Sequence, residues 1–493
     1  MIHQKSAALS TGAAVKSAAT GAAAKKFSLS KKRNSESSAR TTTTGSTRSM
    51  ITGDPMSLIL GFAIPMLLGT LFQQFYSMAD TVIVGRFLGV EALAGVGSTG
   101  AVNFMVNGFV IGTCSGFAIP VSQRFGAGDY SDMRKFVANI IWLTIGLSMI
   151  MTALAAVFTR RILIWMSTPE NIMEYAYQYI YIIFLGIPAT YLYNITAGII
   201  RALGDSKTPV YFLIMTSLIN IALDFISIVV FGFSVNGPAI ATVAAQAFSG
   251  VLCVFYMKKK FPILQFEERE MHPDRWKTAT LLSMGLPMGL QYSITAIGSV
   301  ILQTAVNTLG SVAVASITAG QKIGMFCCCV FDALGATMAT YAGQNTGAGK
   351  PERIRAGVRD ATIIGSIYAA AVCAVLIIFG GKIPLLFVDA SETEVIKNAH
   401  FFLTVNSLFY IPLAIVNIWR FTIQGMGYSG FAVLAGVCEM AARALIGFAG
   451  IPLFGFPAAC FASPLAWIMA DAFLIPAFYW CLRRFTRLVN RAS

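Results

Sequence analysis

Apolar runs of about 20 residues recur along this chain from residue 57 to residue 485, separated by short segments carrying Gly, Lys, Arg and Asp. A run of that length crosses a bilayer as a helix. The pattern predicts twelve spans, at about 57–84, 92–119, 136–158, 176–200, 208–231, 237–257, 279–308, 312–342, 357–380, 399–422, 431–452 and 457–482. In lipid only helices and closed barrels satisfy the backbone. These runs are too long and too continuously apolar for barrel strands, so the predicted fold is all-α and polytopic.

The pattern also repeats. Ile64-Pro65-Met66 parallels Leu286-Pro287-Met288, and Gln123 before Gly126-Ala127-Gly128 parallels Gln344 before Gly347-Ala348-Gly349. Gly186-Ile187-Pro188 parallels Tyr410-Ile411-Pro412, Gly204 with Ser206 parallels Gly427 with Ser429, and Phe231-Gly232 parallels Phe454-Gly455. The offset stays between 221 and 224 throughout. Six spans per copy give both halves the same orientation, related by an axis along the membrane normal, with binding expected between them near the midplane. The expected organisation is a disordered basic tail (1–50), a first six-helix lobe (51–257), a cytoplasmic linker (258–278), a second six-helix lobe (279–487) and a short tail (488–493) around a central cavity.

Composition agrees: 56% of residues are hydrophobic, 12% are charged, and mean hydropathy is +0.69. The formal charge of +14 reads as a topology signal, not a nucleic-acid surface. With the N-terminus inside, the outer loops hold only Arg86, Arg160, Arg161, Lys382 and Lys397. Both termini are therefore expected in the cytoplasm, in a plasma or inner membrane. Residues 1–50 have no apolar core for a secretory signal. They fit a solvated tail, a transit-like segment or untranslated sequence. The nine cysteines lie almost entirely in apolar runs and act as small hydrophobes. His3, His272 and His400 form no ligand set.

Against this background two carboxylates stand out. Asp80 lies in Ile64–Gly89 and Asp224 in Val210–Gly232. A charged Asp at the centre of a membrane helix costs roughly 2.5–3.5 kcal/mol on insertion scales. Two such groups suggest an ion or proton path; the alternative for each is a carboxylate solvated near a helix end. Asn220 and Asp224 share one helix face at i, i+4, and Thr242 on the next span adds a hydroxyl. Pro65 and Pro287 are candidate hinges or static packing elements, as are Pro188 and Pro412. Phe72 and Tyr76 precede Asp80 and suit flat cations through their ring faces; with Gln291 and Asp332 they are candidate cavity residues. Asp332 faces the cavity or is satisfied by a neighbour such as Lys322. Glu439 and Arg443, also i, i+4, are expected to pair. The segment Gly347-Ala348-Gly349-Lys350 lacks P-loop spacing, so ATP drive is not expected. No catalytic constellation is present, and the chain is not expected to be an enzyme.

The two six-span halves, the opening GDPMSLILGFAIPMLLGTLFQQFYSMADTVIVGRFLG, the turn GDSKTP and the fifth-span NIALDFI resemble the multidrug and toxic compound extrusion (MATE) family. The resemblance covers about residues 52–487 and lies nearest the bacterial DNA-damage-inducible-protein-like branch. It implies an antiporter that exports organic, amphipathic cations in exchange for H⁺ or Na⁺ by alternating access, needs no cofactor, and works as a monomer in the lipid bilayer. By that resemblance the coupling residues are Asp80, Asn220, Asp224 and Thr242, which would also hold any bound Na⁺. Spans seven and ten here carry no acid, unlike another branch of the family, which speaks against a cation site in the second lobe. The alternative is a flippase of lipid-linked oligosaccharides or cell-wall precursors from the same wider superfamily.

Overall fold

The computed structural model of the protein describes residues 49–166, 168–386 and 391–492. The tail expected over 1–50 lies outside the described residues up to position 48.

Helix α1 (Pro55–Leu88) starts where Asp54 accepts a hydrogen bond from the Ser57 amide at 2.9 Å, with Pro55 in the first turn. That is the chemistry a helix start requires, since its first amides have no partner within the helix. It is followed by α2 (Val90–Ser98), α3 (Gly100–Gly126), α4 (Tyr130–Trp165), α5 (Glu170–Leu185), α6 (Ile187–Ala202), α7 (Lys207–Phe225) and α8 (Asn236–Lys260). The second half holds α9 (Arg275–Asn307), α10 (Ser311–Gly347), α11 (Pro351–Phe379), α12 (Thr393–Leu408), α13 (Tyr410–Gly425), α14 (Gly430–Leu445), α15 (Ile451–Phe454) and α16 (Phe456–Ala492). Among the described residues ten helices are long and apolar enough to cross a membrane, and counting each of two bent pairs as one span gives twelve. Among the described residues the fold is all-helical.

The structure departs from the sequence pattern in three spans. The second predicted span is broken at Thr99 into α2 and α3. The fourth and tenth spans are bent pairs, α5 with α6 at 47° and α12 with α13 at 51°. Pro188 and Pro412 open the second member of each pair, where the missing amide and the proline ring favour a break. By contrast α1 runs unbroken through Pro65 and α9 through Pro287.

The repeat is visible in the backbone. Glycines with positive φ recur as pairs: Gly89 (88°) with Gly310 (92°), Gly128 (71°) with Gly349 (68°), Gly204 (92°) with Gly427 (94°), and Gly232 (65°) with Gly455 (63°). Helices α7 and α14 both end in a wide π turn, Ile226–Val230 and Ile446–Gly450.

The halves meet at the face carrying the basic loops. A methyl group on Gly126 would lie 1.9 Å from the Gln344 carbonyl oxygen, and one on Gly347 would lie 1.7 Å from that of Gln123. Only glycine permits helices α3 and α10 to cross this closely. Gln123 Nε2 donates to the Gly425 carbonyl at 2.9 Å, and Gln344 Nε2 donates to the Ala202 carbonyl at 3.0 Å. Those two contacts are the same contact, made once by each half. The segment before α1 reinforces them. Met50 N donates to Gln344 Oε1 at 2.8 Å, Lys350 Nζ to the Ile51 carbonyl at 2.9 Å, and Arg353 Nη1 to the Gly53 carbonyl at 2.9 Å.

The segment between the halves is docked rather than loose. Glu270 accepts from Arg134 Nε at 2.6 Å and from Ser131 Oγ at 2.9 Å, and Lys277 pairs with Asp132 at 2.5 Å. The Arg134 guanidinium holds the Glu270 carboxyl down at about 2. The described residues up to Phe478 pack as one compact unit. Beyond it the end of α16 has its own contacts, with Arg484 over the Trp480 ring at 5.2 Å and Thr486 Oγ1 donating to the Leu482 carbonyl at 2.9 Å. Large apolar side chains such as Val157, Trp165 and Phe448 are three-quarters exposed, as expected of surfaces that lipid covers.

Candidate functional site

A cavity of about 440 Å³ opens within the first half, among α1, α3, α5, α6, α7 and α8, with Met325 of α10 its single lining residue from the second half. Its size is that of a pocket for a drug-sized molecule. Asp80 and Tyr76 line it from α1, Asn220 from α7 and Thr242 from α8. These four residues were expected from the sequence, and the fold brings them to one wall.

Asp224 sits one helical turn behind Asn220 and is fully buried. Asn220 Nδ2 donates to Asp224 Oδ1 at 3.4 Å, a long bond that is the expected i, i+4 contact. The remaining oxygens are unsatisfied: Asp80 Oδ1, Asn220 Oδ1 and Asp224 Oδ2 are buried and accept no hydrogen bond. Burying a polar atom without a partner costs about 1–3 kcal/mol, and most such atoms in folded proteins are paired. Asp80 and Asp224 are near enough to feel each other's charge, and Tyr76 and Tyr179 lie in the same field. The backbone widens into the π turn directly after Asp224, with Ser227 Oγ donating to the Asp224 carbonyl at 2.9 Å. Such turns cluster at functional positions because they displace a helical ladder locally.

Other expected residues lie elsewhere. Phe72 is on the exposed side of α1 and is not part of this wall. Gln291 is buried in the second half, where Gln424 Nε2 donates to its Oε1 at 2.7 Å. Asp332 is exposed on α10 and absent from the wall. Lys322 is not its partner. Ten residues along a helix separate the two by about 15 Å, and no ion pair to either is formed among the described residues.

The wall also holds groups that sequence reasoning passed over. Gln73, Gln74, Asn103, Asn107, Asn194 and Gln246 all line the cavity, and Asn107 Nδ2 donates to Asn103 Oδ1. Carboxamides at i, i+4 inside apolar spans were the available signal, weaker than that of a charge. In the second half Arg420 was overlooked: it is buried on α13 and pairs with Glu439. The expected Glu439–Arg443 pair is also present at 3.4 Å.

The sequence profile of the MatE family matches residues 65–226 and again 287–448, covering most of both halves. The chain belongs to the MatE family. It is 28% identical over 364 residues to the probable multidrug resistance protein YoeA of Bacillus subtilis (strain 168), covering 72% of this chain and 78% of that one. Over 375 residues it is 22% identical to a FAD transporter of Shewanella oneidensis, covering 74% and 81%. A solved outward-facing multidrug resistance MATE family transporter of the MOP superfamily shares the fold, with TM-score 0.83 at 22% identity over 91% of this chain and 99% of that one. A MOP superfamily transporter from Pyrococcus furiosus does so with TM-score 0.82, also at 22% identity over 91% and 99%. This MatE chain is therefore an all-helical integral membrane protein of a transporter family.

Proposed function

We propose that the chain is a secondary active antiporter that exports organic, amphipathic cations in exchange for H⁺ or Na⁺, working as a monomer with both termini in the cytoplasm. The observation that carries this reading is the convergence of Asp80, Asn220 and Thr242 on one cavity wall, with Asp224 directly behind and three of their oxygens unpartnered. Two carboxylates sharing a low-dielectric space resist joint ionisation. A proton on one of them, a sodium ion among the oxygens, or a cationic substrate in the cavity each relieves that repulsion. Oxygen donors of this kind take either ion. Each occupant supplies the same charge, so loading one weakens the case for the other, which is the essence of exchange. The wall carries no Lys or Arg, whereas a flippase for pyrophosphate-linked lipids would need cationic groups. The unbroken prolines Pro65 and Pro287 are proposed as the points about which α1 and α9 flex between states.

Exchange of one monovalent cation for another moves no net charge, so the ion's concentration gradient drives the cycle, with about 1.4 kcal/mol for each tenfold difference. The test is ethidium efflux from proteoliposomes under separately imposed Na⁺ and H⁺ gradients. Asp224→Asn is expected to reduce gradient-driven efflux by at least about tenfold, the factor made by losing one interaction of 1.4 kcal/mol. Transport at the wild-type rate and coupling ratio would remove Asp224 from the mechanism.

A further inference from the structure

The second half carries different side chains at the positions that correspond to the candidate ion site. Residue pairs near Gly204 and Gly427 run at an offset of 223, the same offset that relates Gly232 to Gly455 at the far end of α7 and α14. In that register Asn220 corresponds to Arg443, and Asp224 to Gly447. In the first span the register Pro65 to Pro287 pairs Tyr76 with Gly298 and Asp80 with the apolar Leu302. The four side chains that surround the first-half site are thus replaced by one arginine, two glycines and a leucine.

The geometry matches this register. A methyl group on Gly298 would lie 3.5 Å from Arg443 Cδ, 3.5 Å from its Nη1 and 3.3 Å from Met440 Cα. The guanidinium therefore lies across α9 at the point where, in the other half, the Tyr76 ring comes off α1. Arg443 is buried, and its Nη1 has no hydrogen-bond partner. Its counter-charge is Glu439, which also receives Arg420 from α13. Asp471 on α16 is near enough to feel both Arg420 and Glu439, and its Oδ1 accepts no hydrogen bond. The second half thus keeps a covalently tethered cation where the first half leaves room for a free one.

We propose that Arg443 is a built-in cation occupying the second half's equivalent of the ion site, with Glu439 and Arg420 as its clamp, so that a monovalent cation is exchanged in the first half alone. This rests on the reading of Asp80 and Asp224 given above. Arg443 is a positioning residue: its charge neutralises Glu439 and fixes α14 against α9, and it never leaves.

The tethered cation can be removed and supplied from outside. In Arg443→Ala a guanidinium-sized space bounded by Glu439, Met440 and Gly298 remains. Guanidinium chloride at non-denaturing concentrations is expected to raise the melting temperature of this variant saturably and to restore its efflux. Wild type and Arg443→Lys should show neither effect. Equal responses of wild type and Arg443→Ala to guanidinium would overturn the proposal. If Arg443→Ala does not fold, the comparison passes to Arg443→Lys and Arg443→Gln. The lysine variant should keep wild-type ion coupling, while the glutamine variant should lose stability and coupling. Indistinguishable behaviour of those two would show that charge at this position is irrelevant and would equally overturn it. Wild type carries the same first-half cavity, so only the excess rise in melting temperature of Arg443→Ala over wild type is read; its failure is separable from that of the antiport reading, which the Asp224→Asn coupling ratio decides.

Discussion

At the scale of single residues, the chemistry of the candidate site comes from what is left unpaired. Asn220 gives Asp224 its one side-chain hydrogen bond, and neither group has another. Asn220→Leu is expected to destabilise the protein by roughly 1–3 kcal/mol, because it strands a buried carboxylate. Thermal melting in detergent checks this. Combining it with Asp224→Asn should cost less than the sum of the two single changes, the mark of groups in direct contact. Asp80 and Asp224 stood out in the sequence as carboxylates amid apolar residues; Asn220 followed from its i, i+4 spacing to Asp224, and Thr242 from the family resemblance. Arg420 and the carboxamides were not, because an amide in a span satisfies its own helix as readily as it faces a cavity. Phe72 is absent from the first-half wall, and its sequence context did not tell that wall from the rest of the surface: an aromatic next to a polar site sits as well in lipid as beside a substrate.

At the scale of elements, twelve spans could be read from hydropathy alone, but their internal breaks could not. The division at Thr99 falls in Gly95-Val96-Gly97-Ser98-Thr99-Gly100, a cluster of small and polar residues that hydropathy averaged over a whole span does not register. The bends at Gly186 and Phe409 were foreshadowed by Pro188 and Pro412, whereas Pro65 and Pro287 lie in continuous helix. A proline marks where a helix is able to bend, and packing decides whether it does. The segment joining the halves was expected as a linker, and its docking depends on Glu270. The folded carboxyl sits at about 2, below its ordinary 4.5, chiefly through the hydrogen bond from Arg134. A depressed carboxyl stabilises the folded form above its unfolded value, so this contribution is complete above about pH 4.5 and fades as pH falls toward 2. Glu270→Gln is expected to loosen the segment by about 2 kcal/mol, the usual worth of a charged hydrogen bond. Hydrogen exchange over residues 262–274 at neutral pH would register it, and the difference from the parent protein should shrink in acid.

At the scale of the whole molecule, the duplication explains both the symmetry of the fold and its most useful asymmetry. The two halves hold each other through Gln123 on Gly425 and Gln344 on Ala202. Each amide bond is worth about 1 kcal/mol net. Gln344 also accepts from Met50 N, so Gln344→Ala is expected to shift the population toward a form parted at the basic face by more than Gln123→Ala does. The double variant loses three bonds and should shift it by about a hundredfold, since 1.4 kcal/mol is a factor of ten. Distance distributions between spin labels on the loops flanking Gly128 and Gly349 would measure this.

Each glutamine grips the opposite half's main chain, and each crossing point is a glycine. Neither contact consults the identity of any neighbouring side chain. The seam therefore tolerates divergence on both sides, which is how two copies of one ancestor can come to hold a carboxylate-lined pocket in one and a buried arginine in the other without losing their grip. A hybrid built from the front half of this chain and the rear half of a relative should close normally, provided the relative keeps its own glutamine and glycine at that junction.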